Sequence, residues 1–134
     1  DALTPWFDVR SVEGPIDATI TDRMAAEGAL CLVLPDRAAL LVPRPEAMAS
    51  VRDLDSSRLD VALANLPPHE LSFQHGVEHV VRSVQRREAQ AGVLLRPVRV
   101  AQIAEIAEGG DRMPPKSTYF HPKPSTGAVF RSFD

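Results

Sequence analysis

Apolar residues in this chain come in short groups whose spacing changes from two to about four, which predicts strands alternating with helices. The segment Trp6-Phe7-Asp8-Val9 has the aromatic and β-branched content of a strand, ending near Gly14-Pro15. Ile16, Ile20 and Met24 then recur at four-residue steps, placing one stripe on a helix that ends near Gly28. Two apolar runs, residues 30–34 and 40–42, flank Pro35-Asp36-Arg37, the pattern of a hairpin with buried strands. Pro43 and Pro45 stop the second strand, because proline donates no ladder hydrogen bond and restricts the residue before it.

Further on, Ser56 and Ser57 are expected to cap a helix carrying Leu59, Leu63 and Leu66 on one face and closed by Pro67-Pro68. Residues 71–73 suit a short strand. Val77, Val80, Val81 and Val84 give the clearest amphipathic pattern, with Arg82, Arg86, Arg87 and Glu88 off that face, where arginines are most simply a solvated surface. Residues 92–95 read as a buried strand stopped by Pro97. Val100, Ile103, Ala104 and Ala107 predict a last helix, ended by Gly109-Gly110. Beyond it four of the chain's twelve prolines lie between positions 114 and 124, disfavouring regular structure, with Val129 and Phe130 able to add a strand. The expectation is one compact α+β or α/β domain over residues 1–134. It has a mixed sheet packed by three to four helices and a proline-rich segment at 111–127.

Composition narrows the functional classes. The 134 residues, 44% hydrophobic and 25% charged, suit one globular domain. A net charge of -3 gives no general attraction for nucleic acid and argues against it as a partner. The lone Cys31 sits in an apolar run, fitting a core thiol in a reducing, cytoplasmic setting. No apolar stretch approaches the ~20 residues of a membrane-spanning helix. The start at Asp1, with neither an initiator Met nor a charged-then-apolar leader, leads to the expectation of a piece of a longer protein.

Residues 113–130 read MPPKSTYFHPKPSTGAVF. Met113-Pro114-Pro115-Lys116-Ser117-Thr118-Tyr119-Phe120, followed by Pro122-Lys123 and Gly127, resembles the C-terminal signature of the domain of unknown function 1015 family. The similarity extends upstream through Leu59-Asp60-Val61, the helix from Gly76, the strand around Leu94 and the helix before Gly109-Gly110. His121 departs from the aromatic residue common in that family. The resemblance implies a longer protein of which this chain is the C-terminal part. It also implies a missing N-terminal half similar to ParB-like nucleotide-binding proteins, a group that includes kinases of free serine.

Lys116, Ser117, Thr118, His121 and Lys123 concentrate two cations, two hydroxyls and an imidazole within eight residues, a donor set suited to phosphate or carboxylate. Lys116 and Lys123 would hold the anion, Ser117 and Thr118 would donate hydrogen bonds, and His121 is the candidate acid or base. His75, just before the Val77 helix, would face a ligand at that helix's N-terminus. No Gly-x-x-x-x-Gly precedes the lysine, so this is not a P-loop. His75 and His79 lack the glutamate and the further ligands of a zinc site, and no metal is expected. A Gly-x-Ser-x-Gly elbow is absent, and Asp53, Asp55 and Asp60 are most simply read as helix-start residues. The leading expectation is a domain binding a phosphorylated small molecule as part of a phosphotransferase-like enzyme, with a nucleotide open as cofactor. The alternative is a non-catalytic domain whose proline-rich ending, with Tyr119 and Phe120 packed, braces the N-terminal domain of the same protein.

Overall fold

A computed structural model of the chain describes residues 2–110, 112 and 113. Four strands, β1 (Phe7–Val12), β2 (Leu30–Val33), β3 (Ala38–Pro43) and β4 (Gly92–Leu94), form one sheet in the order β1-β3-β2-β4. Helices α1 (Ile20–Glu27), α2 (Asp55–Leu63), α3 (Val77–Gln85) and α4 (Val100–Glu108) complete the described elements. All three strand pairings are antiparallel, where the sequence suggests a mixed sheet, so the architecture is α+β. A two-residue connection at Pro35-Asp36 forces the β2–β3 pairing, closed by Leu34 N–H donating to Arg37 O at 2.8 Å.

Both faces of the sheet are covered, and strict alternation along the strands divides their side chains. Cys31, Val33, Ala38, Leu40 and Leu94 point to the face covered by Ile20 and Met24 of α1 and Val84 of α3. Phe7, Leu30 and Leu41 point to the other face, where Met48 and Ala62 of α2 cover them. This double coverage explains why residues 30–34 read as a continuous apolar run.

Gly92 sets the fit of α3 on β4. A Cβ at that position would collide with Val80 Cγ1 and lie 3.3 Å from Val84 Cγ2, so the missing side chain lets the helix approach. Val80 and Val84 are part of the stripe that makes α3 legible in sequence.

Several boundaries differ from expectation. The first helix starts at Ile20, four residues after Ile16. Pro15 precedes, and the Asp17 carboxylate accepts both the Thr19 N–H (2.8 Å) and hydroxyl (2.6 Å), holding a turn there. Ile16 nevertheless packs on the same core from outside the helix. Gly28 ends α1 in the left-handed region at φ 64°, where glycine carries no Cβ penalty. Ser56 and Ser57 do not cap α2: Leu54 takes the N-cap position, and both serines lie inside the helix. Leu66 falls beyond α2, and residues 71–73 form no strand. The proposed last strand at Val129 and Phe130 lies outside the described residues.

Candidate functional site

Of the sequence-derived site, only His75 lies within the described residues, and it is an exposed residue just before the glycine that opens α3. Lys116, Ser117, Thr118, His121 and Lys123 lie outside them. The two chain positions that lead into that segment are described: Arg52 Nη1 donates to Arg112 O at 3.5 Å, and Met113 is half-buried.

The densest polar constellation among the described residues lies at the start of α2. Asp55 is only 8% exposed, yet it faces two arginines. Arg96 donates Nε to Oδ2 at 2.9 Å and Nη2 to Oδ1 at 2.5 Å, and its backbone N–H reaches Oδ2 at 3.0 Å. Arg58 adds Nη1 to Oδ1 at 3.3 Å. A forked guanidinium matched to both oxygens is the strongest geometry available to such a pair. The Arg96 guanidinium is held further toward its protonated form, first by these bonds to Asp55 and against the opposing effect of burial.

Asp53 extends the network. Arg58 Nη2 donates to Oδ1 at 2.6 Å and Arg99 Nη2 to Oδ2 at 3.3 Å, while Gln102 Nε2 donates to the Asp53 carbonyl. Gln102 Oε1 also accepts the Arg99 N–H at 2.8 Å, opening α4. The beginning of α2, the segment after β4 and the first turn of α4 are thereby tied together by polar contacts. Asp55 opens α2, as the helix-start reading expects, but neither Asp53 nor Asp55 caps it: each accepts from an arginine of a distant segment, Arg99 and Arg96 respectively.

Two grooves flank this region. One of about 230 Å³ lies between Arg52, Asp53 and Leu54 on one side and Gln102, Glu105, Ile106 and Gly109 on the other. A larger, open one of about 410 Å³ is lined by Asp60, Leu63, Ala64, Leu66, Pro68, His69 and Leu71. Its walls are mainly aliphatic, and His69 Nδ1 donates to the Pro67 carbonyl at 2.9 Å. Leu71 is 53% exposed and Phe73, two residues on, 66%.

Cys31 is fully buried, and burial pushes its thiol up to about 11, which keeps it protonated and unreactive at neutral pH. No group of His, Cys, Asp and Glu among the described residues is arranged to hold a metal ion. No helix among them is long and apolar enough to cross a membrane.

Arg58, Arg96 and Arg99 were not singled out in the sequence. The run Asp53-Leu54-Asp55-Ser56-Ser57-Arg58 does signal a local charge cluster, but its pairing with Arg96, 41 positions away, depends on the fold. Comparison with family models, curated proteins and solved structures finds no match to this chain. The resemblance described from Leu59 to Phe130 therefore rests on those residues themselves.

Proposed function

We propose that this chain is a non-catalytic interaction domain that packs against an upstream domain of the same protein through the groove beside α2. The observation that carries this reading is the aliphatic groove lined by Leu63, Leu66 and the exposed Leu71, with Phe73, two residues further along the chain, also exposed. The Asp60 carboxylate in that groove disfavours an anionic ligand, whereas an aliphatic side chain from a protein partner would fill it. The family resemblance supplies the partner, an N-terminal half. A cytoplasmic setting belongs to the same reading, supported by the single, buried thiol of Cys31. The test is binding of the separately produced upstream domain to this chain. Leu71→Asp and Phe73→Asp should abolish binding and leave the chain's own melting temperature nearly unchanged.

A second reading is a phosphorylated small molecule or nucleotide held by Lys116, Ser117, Thr118 and Lys123, with His75 as a further ligand contact and His121 as the candidate acid or base. It is favoured by the bond from Arg52 Nη1 to Arg112 O, which sets one arginine beside the chain just before that segment. Arg58, Arg96 and Arg99 are, however, already paired with carboxylates, which weakens their pull on a free anion. Calorimetric titration with inorganic phosphate, ATP and phosphoserine distinguishes the readings: saturable binding lost in Lys116→Ala supports the anion site, and no heat from any of them removes it.

A further inference from the structure

Strand β1 lies at one end of the sheet and pairs with β3 alone. Arg44 N–H donates to Trp6 O at 3.0 Å, a rung in line with the β1–β3 register. Hydrogen-bonded and non-hydrogen-bonded pairs alternate in an antiparallel ladder, so Asp8, Arg10 and Val12 turn their backbone groups toward β3. Phe7, Val9 and Ser11 turn theirs outward. Pro43 agrees with this phase, since it stands opposite Phe7, where no N–H is required. The outward Phe7 N–H is taken by Leu3 O at 3.0 Å. Among the described residues, no backbone hydrogen bond takes the outward groups of Val9 or Ser11.

We infer that this edge pairs with β1 of a second copy of the chain, antiparallel about a two-fold axis at Val9. In that register Val9 exchanges both backbone hydrogen bonds with Val9 of the second copy. Each Ser11 N–H meets the Phe7 carbonyl of the other chain, and the Ser11 carbonyl displaces that of Leu3 from the Phe7 N–H, so the Leu3 turn opens on pairing. Asp8 then stands opposite Arg10 at the closer, non-hydrogen-bonded positions, twice by symmetry. A two-fold axis at Phe7 or at Ser11 would bring no such opposite charges face to face. Val9, 48% exposed, is covered by the pairing.

Charge on an edge strand usually blunts pairing with other chains. An edge of a single sign would repel its own copy, but the order acid, Val9, base is complementary to itself when reversed. Within the chain Asp8 Oδ1 bonds Arg44 at 2.9 Å and Arg10 Nη1 bonds Glu27 at 3.1 Å. Asp8 and Arg10 are exposed and Arg44 and Glu27 are half-buried, and ion pairs so close to water exchange partners with little loss. This inference is independent of the groove beside α2, which uses different residues.

The mass of the full 134-residue chain in solution, measured by light scattering or sedimentation over a range of concentrations, tests it. The wild type should reach twice the chain mass. Val9→Pro removes an outward N–H and no β3 rung, so it should be a monomer with unchanged circular dichroism. Asp8→Arg and Arg10→Asp should each be monomeric alone and should form a heterodimer when mixed. A wild type monomeric at every concentration overturns the inference, as does a Val9→Pro chain that still dimerises. Exchange-protected Val9 and Ser11 amides in a monomer would assign the edge to another segment of the same chain and overturn it equally.

Discussion

Asp55 and Arg96, 41 positions apart, meet in a forked ion pair whose carboxylate is almost entirely buried. Removing the acid leaves a guanidinium with no matched acceptor, and such half-pairs are far more damaging than the intact pair is stabilising. Because Arg96 keeps about a quarter of its side chain in water, Asp55→Ala is expected to destabilise by roughly 2–4 kcal/mol. Arg99→Ala removes only an exposed partner of Asp53 and should change stability by less than ~1 kcal/mol. Denaturant unfolding of both variants checks the contrast, and equal losses would contradict it.

Packing of α3 on β4 is set by the absence of a side chain at Gly92. Gly92→Ala should lower stability by about 1–3 kcal/mol through overpacking against Val80. Val80→Ala in the same chain should recover part of that loss, because it removes the atom in collision. A thermal melt of the single and double variants measures the coupling, and additive losses would show that the contact is not the cause.

The Cys31 thiol, raised from 9.0 to about 11 by burial, makes stability fall at alkaline pH. Between those values the unfolded chain has released the thiol proton while the folded chain still holds it. The native state then binds more protons, so stability declines as pH rises through the window and the effect is absent below it. Urea unfolding at stepped pH should show a steeper alkaline decline in the wild type than in Cys31→Ala. At pH 8, thiol labelling should follow unfolding. Rapid labelling of the folded protein would contradict the burial argument.

Where a local period decides the structure, the sequence is readable. The valine stripe of α3 and the two apolar runs around Pro35-Asp36 lead to the observed helix and hairpin, because burial on one face or two leaves a repeat in the chain. Ends of elements are less legible. Serines 56 and 57 look like caps, yet the helix begins between them and Leu54 because Asp55 is drawn to Arg96, a contact that no local window contains. Val100 is 80% exposed although it starts a helical apolar stripe, since α4 is held at its first turn by Gln102 and Arg99 and not by burial of that stripe. The groove beside α2 is illegible for a similar reason: Leu66 and Leu71 read as members of a helix and a strand, and their actual place outside any element leaves Leu66 half-buried and Leu71 exposed on its wall.

Docking of an upstream domain of the same protein on the aliphatic groove and Phe73, as proposed, is decided by titrating that domain into this chain in a calorimeter at several temperatures. Apolar docking predicts saturable binding with a negative heat-capacity change and little salt dependence, lost in Phe73→Asp. Absence of binding, or binding that falls steeply with salt and survives Phe73→Asp, would contradict it.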